Sequence, residues 1–396
     1  MTQWSDVTVG DLVELEYGKS LPAHARESGA FSVFGSNGRV GVHSAAAVAG
    51  PGIIVGRKGS VGALAFSASD FWPIDTTYFV VRKQEVDWRF LFHLLSTLRL
   101  ETLNSHSAVP GLNREDVYAI PVAIPEPNEQ EAIAGVLDAA LDRVTLEQEA
   151  VAAAHALKAA TMNELFSHGL RGEAQRETEI GPIPASWAIS PLVQLVEIWS
   201  GGTPRKAVAE YWNGSIPWVS GKDLKRPVLE DAIDHVTEKG VEAGSRLAPR
   251  GSVLLLVRGM GLAKDLPVAQ IMRPMAFNQD VKALVSLGKV SGSFLRSAIH
   301  AGKQRLLSRI VPSAHGTMTL NLNDVESFLV PHPLDEQEAE AIVEVIDAVE
   351  AKIDLHVRKL AVLDDLFGSL LHKLIAGELR ASDLNLSALQ ESGALG

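Results

Sequence analysis

Apolar side chains recur at steps of three and four residues in two long segments of the chain. Residues 128–168 and 336–376 contain no proline and consist mainly of helix-forming residues. The pattern is strongest in the second segment, at Ile346, Val349, Ile353, Leu360, Leu363, Phe367, Leu370 and Leu374. This spacing is typical of a coiled-coil seam over about four heptads. In the first segment Glu147 and Lys158 interrupt a weaker version of the pattern.

The rest of the chain carries short apolar runs separated by glycine and proline. Runs such as GIIVG, TTYFVV, SVLLLV and VKALV have the length and the β-branched content of short strands. Residues 87–103 and 291–310 read instead as helices. Residues 1–124 and 187–330 are therefore predicted to be mixed α/β globules.

One plan, a globule followed by a helix, occurs twice in the chain. Trp4 recurs as Trp187, 183 residues later. Further matches follow in the same order at offsets that grow to 209 residues, pairing Arg57 with Arg258, Pro125 with Pro331 and Ile133 with Ile342. Such an order indicates a duplication, with loop insertions in the second copy.

The predicted fold class is α/β (α+β), with two globules separated by two long antiparallel coiled-coil helices and a pseudo-two-fold internal repeat. About 40 helical residues make a rod of roughly 60 Å. The alternative is that each helix packs only on its own globule. The predicted division of the chain is a first globule at 1–124, a first spacer helix at 125–170, a linker at 171–186, a second globule at 187–330, a second spacer helix at 331–380 and a tail at 381–396.

The net charge of −12 is distributed unevenly along the chain. Residues 1–124 hold 10 basic and 12 acidic side chains, whereas residues 185–330 hold 17 and 12. The helical segments 125–184 and 331–396 carry −7 and −8. A basic or neutral globule can bind a phosphate backbone even though the whole chain is acidic. The acidic helices are then expected to stand away from nucleic acid or to meet a protein partner.

Several classes of site are excluded or unsupported by the sequence. The chain has no cysteine, which excludes disulfides, thiol nucleophiles and cysteine-ligated metals. The glycine-rich run at 51–59 fails the phosphate-loop pattern, and no metalloprotease or serine-hydrolase motif occurs. We therefore expect no catalytic residue, no metal and no cofactor on this chain. Without a signal peptide or a run of about 18 apolar residues, a cytoplasmic location without membrane contact is expected.

The ordered motifs resemble those of the specificity subunit of type I restriction–modification systems over essentially the whole chain. The most specific piece is EIGPIPASW (179–187), which resembles the linker into the second target recognition domain. Other similar pieces are SGGTP (200–204), IPWVSGKDL (216–224), AFNQD (276–280) and SAVPGLNREDV (107–117). The first copy departs from the pattern, with YGKSLP in place of SGGTPR and IDTTY in place of FNQD.

This resemblance implies a non-catalytic subunit that reads a two-part target in double-stranded DNA. It also implies two methyltransferase subunits as partners, which would carry S-adenosylmethionine and methylate adenine N6. A restriction and translocase subunit is a further partner in a full system, and a methyltransferase-only system is the alternative. Two other classes remain open, a helical protein-binding adaptor and a duplicated enzyme with a cleft between its copies.

Base reading favours Arg or Lys for guanine and Asn or Gln for adenine, and phosphates favour Lys, Arg, Ser and Thr. Such residues cluster in glycine-rich loops of both globules. The first globule's candidates are Lys19, Ser20, Ser36, Asn37, Arg39, Arg57, Lys58, Thr76, Thr77, Tyr78, Asn104, His106 and Ser107. The second globule's candidates are Thr203, Arg205, Lys206, Ser220, Lys222, Arg258, Asn278, Gln279, Ser313, His315 and Thr317. Arg57 and Arg258 follow apolar strands, and their alternative role is pairing with a carboxylate inside the fold. Trp4 and Trp187 are predicted to be packing anchors.

Overall fold

The computed structural model describes residues 4–103, 111–313 and 316–384. The chain divides into two compact units, of which the first combines residues 1–150 with 356–396 and the second is 151–355. Each unit contains one mixed α/β globule together with half of each long helix. The predicted globules therefore do not stand apart from the helices, because each shares a core with them.

The described part of the first unit forms three sheets. Its strands are β1 (Ser5–Thr8), β2 (Val13–Tyr17), β3 (Phe31–Gly35), β4 (Gly38–His43), β5 (Gly52–Gly56), β6 (Leu64–Ser67), β7 (Phe71–Pro73), β8 (Thr77–Arg82) and β9 (Pro121–Ile124). The main sheet has the order β2-β8-β5-β6 and is antiparallel. A second sheet has the order β4-β3-β7, in which β3 and β7 are parallel, and β1 pairs with β9. The helices that begin in this unit are α1 (Val9–Leu12), α2 (Trp88–Thr97), α3 (Arg114–Tyr118) and α4 (Pro127–His168).

The second unit repeats this topology with additions. Its strands are β10 (Gln175–Arg176), β11 (Ile183–Pro184), β12 (Ala188–Pro191), β13 (Val196–Ser200), β14 (Trp212–Val219), β15 (Val228–Leu229), β16 (Asp234–Val236), β17 (Leu247–Ala248), β18 (Val253–Leu256), β19 (Val268–Ile271), β20 (Met275–Phe277), β21 (Val281–Ser286), β22 (Val311–Pro312), β23 (Met318–Thr319) and β24 (Leu329–His332). Its helices, with the long second helix, are α5 (Glu238–Gly244), α6 (Gly292–Ala301), α7 (Lys303–Leu307), α8 (Leu322–Glu326) and α9 (Glu336–Ile375). Short 3-10 turns across both units lie at Ala23–Ala25, Leu100–Leu103, Leu192–Gln194, Ala209–Tyr211, Met260–Ala263 and Ala381–Asp383.

The strand order of the main sheet is the same in both units. The order β13-β21-β18-β19 matches β2-β8-β5-β6, and the second unit adds β15 at its edge. The order β16-β14-β20 matches β4-β3-β7, and β17 is added beside β20. Strands β14 and β20 are parallel, as are β3 and β7. The pairing of β12 with β24 matches that of β1 with β9. The two units thus share one strand order, which agrees in sequence order with the repeated motifs.

Both long helices lie inside the segments predicted for them, 125–170 and 331–380, but the second begins later than predicted because residues 331–332 end strand β24. Helix α4 begins at Pro127, where a missing N–H costs nothing, and it ends before Gly169, whose φ of +68° closes the last turn. Helix α9 is preceded by Asp335, whose Oδ1 accepts the Gln337 N–H at 3.0 Å. Gly377, with a φ of +70°, follows its last turn.

In the first unit the two helix halves run in opposite directions. Glu129 Oε1 accepts the Ala381 N–H at 3.3 Å, and Glu147 lies against His356. Glu147 is 5% exposed, with its Oε1 2.5 Å from His356 Nδ1 and its Oε2 2.8 Å from Lys359 Nζ. The residue that interrupts the apolar pattern is therefore buried and paired, and does not point to solvent. Burial opposes its ionisation, but the hydrogen bonds from Lys359 and His356 outweigh burial and lower the pKa of Glu147.

The second unit holds its own helix halves by a buried ion-pair network. Lys158 Nζ lies 2.7 Å from Glu350 Oε1, so this second interruption of the pattern is also paired. Arg296 on α6 is 4% exposed and contacts Glu350 and Asp347 at 3.1 and 2.7 Å. Trp187 is 2% exposed and packs against aromatic side chains of α4 and α6, as a packing anchor should.

No helix among the described residues is both long and apolar enough to cross a bilayer.

Candidate nucleic-acid interface

Several strand ends of the first globule meet at one edge, and the candidate residues follow those ends. The Lys19 N–H donates to the Pro73 carbonyl at 2.9 Å, which joins the end of β2 to the end of β7. The Arg57 and Lys58 N–H groups both donate to the Thr76 carbonyl, which joins the end of β5 to the loop before β8. Because Gly56 lies so close to the turn after β3, a Cβ there would stand 2.8 Å from the carbonyl oxygen of Ser36. Residues far apart in sequence thus converge on one surface, which we call the first edge.

Some candidates at the first edge are open to solvent. The exposed candidates are Lys19, Ser20, Asn37, Arg39 and Lys58, and the half-buried ones are Ser36, Arg57 and Thr76. Thr77 and Tyr78 are buried, and their hydroxyls donate to the carbonyls of Ile74 and Leu112 at 2.8 and 3.1 Å. Burial and the neighbouring Tyr17 hydroxyl raise the pKa of Tyr78 to about 12. Thr77 and Tyr78 shape the edge from within and offer no surface to a base.

Arg57 does not have the alternative role of pairing with a carboxylate inside the fold. Its Nη2 donates to the main-chain oxygen of Asp75 at 2.6 Å. Its guanidinium lies over the ring of Tyr17 at 5.1 Å and near that of Tyr78 at 5.9 Å. Tyr17 itself is 51% exposed. Stacking of this kind is worth about 0.5–1 kcal/mol at exposed sites, so it orients the arginine without neutralising its charge.

The second globule forms a comparable second edge at the matching strand ends. Thr203 Oγ1 donates to Gln279 Oε1 at 2.6 Å, and Gln279 Nε2 donates to Asp280 at 3.3 Å. Arg258 is exposed, and its N–H reaches the Asp280 carbonyl. Asn278 is 8% exposed, and its side chain accepts the Asp280 N–H, so Asn278 closes a turn and does not face outward.

Other candidates surround this group. Ser313 and Thr317 bond to each other through their hydroxyls at 2.7 Å, in a hairpin that pairs with the backbone after Arg258. Arg205 and Lys206 are exposed on the loop after β13. Lys222 is exposed but paired, because its Nζ lies 2.8 Å from Asp234 and this hydrogen bond raises the pKa of Lys222.

The remaining candidates are Ser220, whose hydroxyl is already bonded within the fold, and four residues that the structure does not describe. The Ser220 hydroxyl donates to Asp223 at 3.0 Å within a tight turn. Asn104, His106, Ser107 and His315 lie outside the described residues.

The structure corrects one alignment between the copies. Arg57 and Val257, and not Arg57 and Arg258, have carbonyls that accept the N–H of the leucine in the LNREDV and LNLNDV motifs. Lys58 and Arg258 then occupy the equivalent place, since each N–H donates to the loop before the next strand of the sheet. The two arginines are displaced by one residue, and Val257 is buried.

Sequence reasoning missed Lys282 at the second edge. Lys282 pairs with Ser200 in the register of β13 and β21, and its Nζ donates to the Ser200 hydroxyl at 2.7 Å. Burial, and then the charge of Arg258, lower its pKa from the ordinary lysine value. A lysine at the start of an apolar strand is unusual and could have marked Lys282 as a candidate. The candidates were sought in the glycine-rich loops, and a residue inside a predicted strand was therefore passed over.

The described residues hold no group of three or more His, Asp or Glu side chains that could bind a metal ion. Two clefts of about 720 and 790 Å³ in the second unit are lined by residues other than the candidates. The arrangement that the structure supports is thus two polar edges on similar scaffolds, each able to make hydrogen bonds and to meet negative charge.

Comparison with known proteins matches most of the chain to one family. Residues 1–153 and 184–364 match the type I restriction modification DNA specificity domain. The chain is 26% identical over 262 residues to the specificity subunit of the type I restriction enzyme EcoR124I/EcoR124II of Escherichia coli, covering 65% of this chain and 62% of that subunit. It is 29% identical over 182 residues to the MjaIX specificity subunit of Methanocaldococcus jannaschii, covering 44% and 40%.

Solved structures show a similar fold. The S subunit of a type I restriction–modification system from M. genitalium gives a TM-score of 0.67 at 17% identity, with 94% of this chain and 96% of that chain covered. A chain from a structural study of complex assembly and conformational transition of the type I R-M system gives 0.54 at 16% identity, with 96% and 100% covered. At these identities the likeness concerns the fold alone. The aligned region spans about three fifths of the E. coli subunit.

Proposed function

Because the chain belongs to the type I restriction–modification DNA specificity family, we propose that it reads a bipartite target in double-stranded DNA. Each globule reads one half-site through its edge, and the chain itself carries no catalytic residue. The observation that carries this proposal is the repetition of one strand framework with different polar side chains at the same edge. Equal scaffolds with unequal edges suit two different half-sites on one duplex.

The long helices serve as the spacer in this proposal. Within each unit the helix halves run antiparallel, and buried apolar residues of both halves belong to one core cluster. We take the two helices to form a coiled coil whose pseudo-two-fold relates the globules, with boundaries at 125–170 and 331–380. A rod of roughly 60 Å can separate two domain centres by the 34 Å of one DNA turn.

Two methyltransferase subunits are the expected protein partners. The helices expose apolar side chains, including Leu146, Leu157, Leu355 and Val362 at 50–66% exposure. Exposed apolar surface marks a protein interaction site where it is contiguous, and we take these residues as part of the surface that meets the methyltransferase subunits. The partners would carry S-adenosylmethionine and methylate adenine N6 on both strands. A restriction subunit joins them in a full system, and a methyltransferase-only system lacks it.

Mapping of N6-methyladenine in cells that carry this gene and its methyltransferase partner tests the proposal. The expected pattern is a single motif of two short half-sites separated by a gap of unspecified sequence. The isolated chain should transfer no methyl group from S-adenosylmethionine. DNA binding should weaken as salt rises, because phosphate contacts release counterions. A helical protein adaptor would leave no methylation motif and bind no DNA, and turnover by the isolated chain would favour the duplicated enzyme.

A further inference from the structure

Arg57 is held in place at the first edge by groups that fix its guanidinium plane. Tyr17 and Tyr78 lie 5.1 and 5.9 Å from the guanidinium carbon, and the Asp75 carbonyl oxygen accepts its Nη2–H at 2.6 Å. A free arginine side chain loses much rotational freedom when it binds a ligand. An arginine that is already ordered makes the same contacts at a smaller entropic cost.

The groups that hold Arg57 are themselves anchored. Tyr78 is 4% exposed, and its hydroxyl donates to the Leu112 carbonyl at 3.1 Å. Tyr17 is flanked by a second guanidinium, that of Arg114, at 4.9 Å. Arg114 in turn donates to the Leu15 carbonyl at 3.1 Å. The exposed ring of Tyr17 is therefore kept over Arg57 by the fold.

Among the residues that the structure describes, the guanidinium of Arg57 makes no ion pair, and its one hydrogen bond goes to a neutral carbonyl. Its Nε is buried without a partner and cannot face a ligand. The contact with a ligand therefore falls to the N–H groups of Nη1 and Nη2, which can match two acceptors in one plane. In the major groove of DNA this pair of acceptors is O6 and N7 of guanine, the commonest specific target of arginine.

The second edge carries different side chains at the matching positions. Val257 stands in the place of Arg57, and Ser200 and Lys282 stand in the places of Tyr17 and Tyr78. We infer that Arg57 reads a guanine in the half-site of the first globule, with Tyr17 and Tyr78 as its positioning residues. This inference rests on the proposed function, since it concerns how one edge reads DNA.

The test replaces each guanine of the mapped half-site in turn by 7-deazaguanine, which lacks N7 but keeps Watson–Crick pairing. Affinity is measured with the full chain bound to its methyltransferase partner. At one position, the protein without substitutions should bind the 7-deazaguanine duplex roughly tenfold more weakly than the guanine duplex. This is about what the loss of one of two base contacts should cause. Arg57→Ala should bind both duplexes alike. Arg57→Met, which keeps the length of the side chain but has no N–H donor, should do the same if the alanine variant does not fold.

Positioning by Tyr17 predicts a separate outcome. Tyr17→Ala should reduce the discrimination between guanine and adenine at that position, with the salt dependence of binding unchanged, and Tyr17→Phe should restore it. Arg82 provides a matched control at the other end of β8, since its guanidinium lies 4.4 Å from the Trp88 ring and donates to the Val86 carbonyl. Arg82→Ala should leave the effect of 7-deazaguanine intact.

Two results would overturn the inference while leaving the proposed function in place. One is salt-dependent, sequence-specific binding that no 7-deazaguanine weakens, or a half-site that contains no guanine. The other is an Arg57→Met variant that folds and keeps the full effect of 7-deazaguanine. A chain that binds no DNA with its partner present would instead remove the proposed function, and the inference with it.

Discussion

The first and second globules place different side chains at the same point of the same sheet. Tyr17 faces Tyr78 across β2 and β8, whereas Ser200 faces Lys282 across β13 and β21. Behind these pairs the strands are equally buried in both globules, as Ile53 and Val253 illustrate at 0% exposure. The scaffold is thus held by buried apolar residues that both globules share, whereas the side chains at the edge differ, even though Tyr78 itself reaches the core of the first globule.

The second globule also differs in its additions and its charge. Strands β15 and β17 extend its two sheets, and they fall in the longer stretch between Gly201 and Arg258. Its net charge is +5 over residues 185–330, against −2 over residues 1–124. Because charge acts on phosphates without regard to sequence, we expect the second globule to provide more of the salt-dependent affinity.

The largest effect should come from separating each globule from its helices. Ile133 and Ile342 hold matching places in the two copies, and both are 0% exposed. Ile133→Asp or Ile342→Asp buries an unpaired carboxylate, which should cost several kcal/mol of unfolding free energy. Hydrogen exchange should show loss of protection in the first unit for one variant and in the second unit for the other. Leu146→Asp and Val362→Asp, at exposed positions of the same helices, should change stability by less than about 0.5 kcal/mol. Equal loosening of both units by either core variant would contradict this comparison.

Exchange of one globule should change half of the target. Replacing residues 188–328 by the matching part of a homologous subunit leaves the first edge intact. We therefore expect methylation mapping to show one new half-site, one unchanged half-site and the same gap. If both half-sites changed together, the globules would form one composite site instead of two independent readers.

The two units should respond to acid in different pH ranges. Burial, then the charges of Lys158 and Lys303, lower the pKa of His300 in the second unit to about 4. The unfolded chain binds this proton more readily, so stability rises with pH between about 4 and 6.5 and is lost as the pH falls through that range. In the first unit, burial of Asp138 is outweighed by hydrogen bonds from His93 and Arg89, which hold its pKa at about 2.

The Asp138 contribution is present above the ordinary aspartate pKa and is lost only as the pH falls from about 4 towards 2. Acidification followed by hydrogen exchange should therefore loosen the second unit first. His300→Asn should reduce the pH dependence of stability between about pH 4 and 6.5. Asp138→Asn should reduce it between about pH 2 and 4. His155→Asn, at an exposed position, serves as the control. Loss of both units in one step near pH 6 would argue against these assignments.

The smallest effects should come from single residues at the second edge. Gln279→Ala, if Gln279 reads adenine, should relax one base position and cost about 1–3 kcal/mol of binding free energy. Lys206→Ala should weaken all sequences alike and reduce the salt slope by about one. Lys289→Ala, beyond the other end of β21, should do neither. A change in base preference caused by Lys206→Ala would show that this lysine reads bases and not phosphate.

The long helices could be predicted from the sequence because apolar residues recur along them at helical spacing, and the shared strand order could be expected from the ordered motif matches. Prolines before each helix and glycines after it lie within a few residues of the observed ends. Burial could not be predicted as well for polar residues. Thr77, Tyr78 and Asn278 have side chains that suit DNA, but their hydrogen bonds to nearby backbone are visible only in the fold.

The register between the copies was the hardest feature to predict. Two arginines in similar glycine-rich runs suggested a match, yet a single-residue offset separates Arg57 from the true equivalent of Arg258. Since neighbouring residues of an extended segment point to opposite sides, an alignment error of one residue exchanges a buried position for an exposed one. Arg57 corresponds to the buried Val257, and the exposed Arg258 corresponds to Lys58.

Glu147 and His356 occupy matching positions in the two predicted copies. They are 209 residues apart, as are Ile133 and Ile342, so each is the other's counterpart in the repeat. Two identical halves would have brought two copies of the same residue together here, and a pair of buried glutamates repel each other. An acid in one copy and a base in the other remove that conflict. Because the contact joins two different residues at matching positions, a chain with the same residue at both positions would lose this ion pair.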